Sequence, residues 1–119
     1  EAAAQAEREA QQLQAGSGGE DDSLLARYGA AITAQVHDRW RVPDNTPPIV
    51  CTLRIVQVRG GRVLSAAVTN PCNASPVHRE TLERAALAAQ PLPFAGFESV
   101  FRRELIITFC HPEGLPECN

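Results

Sequence analysis

The chain has 119 residues, enough for one domain with a modest core. Its net charge is −3, and its sequence contains arginine but no lysine. This acidic balance and the scatter of the arginines argue against a nucleic-acid partner. No apolar run approaches the ~20 residues that a membrane-spanning helix needs, so we expect no membrane contact by this segment.

The beginning of the chain differs in composition from the rest. Residues 1–14 (EAAAQAEREAQQLQ) predict the end of an Ala- and Glu-rich helical stalk, although a frayed, solvated helix explains the same composition. Residues 15–22 predict a flexible acidic linker, and residues 23–119 predict one globular domain. Because the chain begins with Glu-Ala-Ala-Ala, we expect it to be a segment of a longer protein.

The first predicted helix starts at Ser23, which can cap it, with Asp21 and Asp22 beside the positive end of the helix dipole. Apolar residues then recur at steps of three and four until Pro43 ends the helix. This apolar stripe consists of Leu25, Tyr28, Ile32, Val36 and Trp40, and its last four members are predicted core anchors. Trp40 fits a core position better than a platform for a ligand.

A β-hairpin is predicted next, because the β-branched segments 49–59 and 63–69 flank a Gly-Gly pair. A two-residue turn at Gly60 and Gly61 defines three opposed pairs, namely Leu53 with Val68, Ile55 with Ala66, and Cys51 with Asn70. Leu53 and Ile55 then share one apolar face, so both are predicted core anchors.

The cysteines favour disulfides over a metal site. Cys72 lies diagonal to Cys51 in the predicted register, and a disulfide closing this ~20-residue loop would contribute about 3 kcal/mol. Pro and Gly residues between Cys110 and Cys118 let the chain fold back, which favours a second, local disulfide. A zinc site that includes His111 and free thiols are the alternatives, although no C-x-x-C pair occurs. An even number of cysteines favours an oxidising compartment.

The second helix is predicted to begin with Ser75 as its N-cap and Pro76 in its first turn. Its predicted buried face consists of Leu82, Ala85, Ala86 and Ala89. Residues 94–103 predict one or two short helical turns, and residues 104–110 (ELIITFC) predict the last strand. The predicted fold class is α+β: a small three-stranded antiparallel sheet packed with two main helices, in the order helix-strand-strand-helix-strand.

The sequence contains no pattern that indicates catalysis. It lacks a phosphate-binding glycine loop, a nucleophile elbow and an H-E-x-x-H motif. His37 in the first helix and His78 in the second are both predicted to be exposed. We therefore expect a protein that is not an enzyme and has no catalytic residue, no cofactor and no metal, and a thiol or zinc enzyme is the alternative.

Four stretches, taken in their order and spacing, resemble the C-terminal periplasmic domain of TolA. They are YGAAITAQVHDRWRVP, CTLRIVQVRGGRVLSAAV, ERAALAAQPLP and FRRELIITF. The resemblance covers roughly residues 24–109 and is carried by Tyr28, Trp40-Arg41-Val42-Pro43, Cys51-Thr52-Leu53-Arg54-Ile55 and Pro91-Leu92-Pro93. The C-terminal domain of TonB shares the fold and is the alternative, but its Pro-rich spacer is replaced here by the Ala- and Glu-rich segment.

The resemblance implies a periplasmic protein-interaction domain of the Tol–Pal system. TolA is anchored in the inner membrane by an N-terminal part, where it works with TolQ and TolR, and its C-terminal domain meets TolB and the Pal lipoprotein at the outer membrane. This connection helps to keep the cell envelope intact during division, and colicins and filamentous phage coat proteins use the same domain for entry. The TonB alternative implies an energy-transducing domain that contacts outer-membrane transporters.

A small sheet leaves unpaired strand edges, and an extended peptide can add to such an edge as a further strand. The last strand is the predicted receiving edge, because the hairpin strands pair with each other. Its residues are Glu104, Leu105, Ile106, Ile107, Thr108, Phe109 and Cys110. Leu105, Ile107 and Phe109 are expected to face the core, and Ile106 and Thr108 to face away from it. The alternative is that this strand serves the core alone, and the tail after it departs from the family and would cover or lengthen the edge.

Overall fold

The structure is a computed structural model that describes residues 18–43 and 45–118. Its helices and strands are, in chain order, α1 (Gly18–Arg39), β1 (Ile49–Gln57), β2 (Val63–Cys72), α2 (Pro76–Ala88) and β3 (Glu104–His111), with short 3₁₀ turns at Glu98–Val100 and Pro116–Cys118. The predicted α+β class and the predicted order of elements are confirmed. Within the described ranges, neither helix is long and apolar enough to cross a membrane.

The first helix starts earlier than predicted. It begins at Gly18 and not at Ser23, so residues 18–22 of the predicted linker are helical. Asp22 lies within the first turns of this helix, where a negative charge is favourable. The predicted stalk, residues 1–14, and the start of the linker, residues 15–17, lie outside the described residues.

The strands form one antiparallel sheet in the order β2–β1–β3, so β1 is the central strand. Two of the predicted hairpin pairs are confirmed, because Leu53 lies opposite Val68 and Ile55 lies opposite Ala66. Leu53 and Ile55 are fully buried, because they lie on the face of the central strand that packs against the helices.

The open end of the hairpin differs from the prediction. Cys51 was expected opposite Asn70, and this pairing is wrong. An irregularity between Cys51 and Thr52 shifts the register, so that Cys51 lies directly opposite Cys72. The structure joins these two cysteines in a disulfide. The shift thus replaces the expected diagonal arrangement by a direct one.

The turn of the hairpin is also longer than predicted. The N–H of Val58 donates to the carbonyl of Arg62 (2.9 Å), and the N–H of Gly61 donates to the carbonyl of Val58 (3.0 Å). Three residues therefore lie in the turn, and the predicted two-residue turn is wrong. Both glycines adopt positive φ, +98° at Gly60 and +92° at Gly61, which is why the sequence needs glycine there.

The core lies between the sheet and the two helices. Its large buried side chains include Tyr28, Ile32, Val36, Trp40, Leu53, Ile55, Leu82 and Phe109. Trp40 is buried, and its indole N–H donates to Thr81 Oγ (3.1 Å), which links the end of α1 to α2. The apolar stripe of α1 thus packs against the rest of the domain, as its helical spacing predicts.

The second helix has the predicted cap and the predicted buried face. Ser75 is the N-cap, its hydroxyl accepts from the N–H of His78 (3.4 Å), and Pro76 is the first helical residue. The face toward the sheet is made by Leu82, Ala85, Ala86 and Ala89. Because most of these side chains are small, α2 can lie close to β2.

One buried polar residue positions the start of β3. Gln57 is fully buried, and its amide nitrogen donates to the hydroxyl of Tyr28 (2.7 Å) and to the carbonyl of Arg102 (2.8 Å). The backbone N–H of Gln57 also donates to the carbonyl of Arg103 (2.9 Å). These bonds hold α1, β1 and the segment before β3 together.

Candidate partner-binding site

The outer side of β3 presents unpaired backbone groups. In an antiparallel pair, residues that bond to the neighbouring strand alternate with residues that face away from it. The bond from Gln57 to Arg103 and the register with β1 assign the odd-numbered residues of β3 to the inner side. The backbone groups of Glu104, Ile106, Thr108 and Cys110 therefore face outward. Among the described residues, none bonds to the backbone of Ile106 or Thr108.

The side chains of β3 follow the same alternation. Leu105 and Phe109 are buried and Ile107 is half-buried, whereas Thr108 is exposed and Ile106 is 65% exposed. The strand therefore contributes to the core with one face and presents the other to solvent. Cys110 departs from this pattern, since its side chain is buried in the disulfide with Cys118.

The outer side of β2 is occupied by side chains from α2 and the residues that follow it. The N–H of Val68 donates to a carboxylate oxygen of Glu83 (2.8 Å). The N–H of Val63 donates to the side-chain oxygen of Gln90 (3.0 Å). These interactions fill hydrogen-bonding positions that an added strand would need, so β2 is a poor receiving edge.

A groove of about 360 Å³ lies between β3, the middle of α1 and the tail. Its α1 wall is made by Ala30, Thr33 and Ala34, and Thr108 belongs to its β3 wall. Because the α1 side chains are small, the groove leaves room beside the unpaired edge for an extended backbone, which needs about 4.8 Å from strand to strand.

The Cys110 end of this groove is closed by His37 and the tail. Nε2–H of His37 donates to the carbonyl oxygen of Cys110 (3.0 Å), one of the outward-facing groups of β3. Nδ1 of the same ring lies 3.6 Å from a carboxylate oxygen of Glu113. The Cys110–Cys118 disulfide holds the tail beside the strand. An added strand can therefore reach Thr108, but the carbonyl of Cys110 is already in use.

Two predictions about histidines are wrong, since neither is exposed. His37 has 20% side-chain exposure because it contacts β3 and packs edge-on against Trp40, with ring centroids 5.7 Å apart. His78 is half-buried, and its Nδ1 lies 3.2 Å from the hydroxyl of the capping Ser75. The contact of His37 with Cys110 joins residues far apart in the chain, and no local sequence pattern indicates it.

The cysteines and the acidic residues do not form a metal centre in the described part of the chain. All four cysteines are joined, Cys51 with Cys72 and Cys110 with Cys118. A Cys-ligated zinc ion would therefore have no thiolate ligand, and no cysteine is left as a free thiol. No group of three His, Cys, Asp or Glu residues among the described ones is placed to hold a metal ion.

The fold and the site define a small α+β domain with one strand edge open beside a groove. No protein-family model and no curated protein sequence matches the chain. Its fold is similar to that of a solved structure, the solution NMR structure of TolAIII bound to a peptide derived from the N-terminus of TolB. The TM-score is 0.51, the sequence identity is 24%, and the match covers 74% of each chain. This likeness supports the TolA-like fold that the sequence predicts.

Proposed function

We propose that this domain is a non-enzymatic protein-interaction module of the Tol–Pal cell-envelope system, and that it binds an extended segment of TolB by adding it to β3 as a fourth strand. The observation that carries the proposal is the contrast between the two outer strands. The edge of β3 has unpaired backbone groups beside a groove, whereas the edge of β2 is occupied by Glu83 and Gln90. The likeness to TolAIII, whose structure contains a TolB-derived peptide, supports the choice of partner.

The outward-facing backbone groups supply most of the affinity in this proposal. A strand beside Glu104, Ile106 and Thr108 makes main-chain hydrogen bonds that contribute about 0.5–1.5 kcal/mol each. Alternate side chains of the added strand face the small residues of α1 or the solvent, and these positions set the selectivity. Residues 104–108 thus form the core of the proposed site, and Cys110 marks its limit.

The wider biological setting follows from the same proposal. The domain works in the periplasm, where an oxidising environment maintains its two disulfides. It belongs to a protein that is anchored in the inner membrane and associated there with TolQ and TolR, and it connects this complex to TolB and Pal at the outer membrane. Colicins and filamentous phage coat proteins that enter through the Tol system would compete for the same edge.

An NMR titration tests this function. The oxidised, ¹⁵N-labelled chain is titrated with a synthetic peptide from the mature N-terminus of TolB of the same organism. We expect the largest amide shifts at residues 104–108 and in the facing part of α1, residues 30–37. Shifts that are confined to β2 and α2, or no shifts at millimolar peptide, would contradict the proposal.

A further inference from the structure

The closed end of the groove determines which part of a partner can lie there. The tail contributes Glu113, Gly114 and Cys118 to the groove wall, beside Cys110. The carbonyl oxygen of Cys110 already accepts a hydrogen bond from His37. A partner strand that continued beyond this point would have to displace His37 and cross the tail. The end of a chain fits this corner better than its middle.

The direction of pairing decides which end of the partner this is. Every strand pair in the sheet is antiparallel, and antiparallel pairing is slightly more stable per residue than parallel pairing. A strand antiparallel to β3 runs from the Cys110 end toward the Glu104 end. Its first residue therefore lies at the closed end of the groove.

The charges at the closed end favour a cation. Glu113 is the acidic residue among those that line the groove. Its side chain is 68% exposed, so a ligand can reach the carboxylate. With Nε2–H of His37 donating to Cys110, Nδ1 of the neutral ring is an acceptor. This nitrogen and the Glu113 carboxylate lie 3.6 Å apart and form a pair of acceptors that an ammonium group can bridge.

We propose that the domain recognises the free amino terminus of its partner, and that Glu113 and Nδ1 of His37 bind the α-ammonium group at the closed end of the groove. This inference rests on the proposed function, because it requires a strand on β3. It assigns a role to the tail, whose position depends on the Cys110–Cys118 disulfide. The ligand class is thus an extended peptide with an unblocked first residue.

The test compares two forms of one peptide. The TolB peptide is prepared with a free amino terminus and with an acetylated one, and both dissociation constants are measured at about pH 7.0, where most α-amino groups are protonated and most free imidazoles are neutral. We expect acetylation to weaken binding to the natural chain about fivefold, near the upper limit for a solvent-exposed ion pair. In Glu113→Gln, the free peptide should bind about fivefold more weakly and acetylation should have little further effect. Glu80→Gln is the matched control, because Glu80 is an exposed acid on α2 outside the groove.

The outcomes separate this inference from the proposed function. If both peptide forms bind equally well and still shift residues 104–108, the amino-terminal inference fails and the proposed function stands. If acetylation weakens binding equally in the natural chain and in Glu113→Gln, the role of Glu113 fails. If neither peptide form affects β3, the proposed function fails, and the inference fails with it.

A second variant tests the role of the tail. Replacing the local disulfide by the pair Cys110→Ala and Cys118→Ala leaves β3 and its register with β1 in place but releases the tail. We expect the peptide to bind still, with the fivefold discrimination between free and acetylated forms reduced to less than about twofold. Full discrimination in this variant would show that the tail does not form the subsite.

Discussion

The two outer strands of the sheet are both edges, but their surroundings differ. Along β2, the outward N–H groups of Val63 and Val68 donate to side chains of Gln90 and Glu83. Along β3, the outward backbone groups at the centre of the strand lack partners among the described residues, and a groove lies beside them. An uncovered edge is a template for another chain. The comparison indicates that the fold itself protects the β2 edge and leaves the centre of the β3 edge unpaired.

The path of the chain explains the difference. Only residues 73–75 separate β2 from α2, so the helix folds back beside its own strand. Its side chains then reach the edge of β2, and Arg79 also donates to the carbonyl of Cys72 (3.3 Å). A longer segment, residues 89–103, carries the chain from α2 to the far side of β1. β3 therefore lies beside α1, whose facing residues are too small to fill the space.

The largest expected effect concerns a contact between the hairpin turn and the loop after α2, beside the protected edge of β2. The turn of the hairpin touches the loop after α2, where the N–H of Leu92 donates to the carbonyl of Gly61 (2.8 Å). A Cβ at Gly61 would overlap the backbone of Leu92, and φ is positive there. We expect Gly61→Ala to lower the free energy of unfolding by about 3 kcal/mol, measured by urea denaturation.

Gly60→Ala is the control for this prediction. Gly60 has a similarly positive φ, but a Cβ there meets open space. Gly60→Ala should therefore lower the free energy of unfolding by only about 1 kcal/mol, which is the cost of holding a non-glycine residue at positive φ. Equal losses in the two variants would show that the contact between the hairpin turn and Leu92 does not stabilise this edge.

The next effect concerns the open edge. Thr108 lies opposite Thr52 in a pair whose backbone groups are not hydrogen-bonded to each other, so the N–H of Thr108 faces outward. Proline at position 108 therefore removes an outward donor without removing a hydrogen bond of the sheet. An unsatisfied acceptor on the added strand costs about 2 kcal/mol, so Thr108→Pro should weaken binding of the TolB peptide roughly 30-fold. Thr108→Ala keeps the donor and should bind nearly normally. A folded Thr108→Pro variant with unchanged affinity would exclude this edge.

Uncovering the protected edge should have a smaller effect. In Glu83→Ala the N–H of Val68 loses its acceptor, and we expect a loss of about 1 kcal/mol in unfolding free energy together with faster amide exchange at Val68. Glu83→Gln retains an acceptor oxygen and should restore most of both. Glu80→Ala removes an exposed partner of Arg84 and should leave exchange at Val68 unchanged. Unchanged exchange in Glu83→Ala would mean that the carboxylate does not protect the edge.

The sequence predicts those parts of the fold that depend on local patterns. Helical spacing predicts the buried stripe of α1, and the Ser75-Pro76 pair predicts the start of α2. The turn length escapes prediction, because two adjacent glycines permit both a two-residue and a three-residue turn. The pairing of Cys51 with Cys72 depends on a register shift that no residue type requires.

The candidate site is less predictable than the fold. The open edge follows from the strand order, but its closed end joins His37 in the first helix to Glu113 near the end of the chain. The protection of the β2 edge likewise depends on where α2 places Glu83, which accepts from the N–H of Val68. Such contacts form only after the elements have packed, and a single sequence carries no periodic signal for them. The groove itself is visible in the sequence only as small residues, Ala30 and Ala34, between the positions of the buried stripe.

The smallest expected effect separates backbone recognition from side-chain recognition at the open edge. Arg54 and Glu104 form an ion pair on the exposed face of the sheet, and both side chains are 49% exposed. Such a pair contributes about 0.5 kcal/mol or less, so Arg54→Ala should barely change the unfolding free energy. If main-chain bonds supply the affinity, the same variant should change the dissociation constant of the TolB peptide by less than about twofold. A larger change, measured by calorimetry and abolished in Glu104→Gln, would show that the partner also uses this ion pair, and that the β3 edge is distinguished by charge as well as by its unpaired backbone.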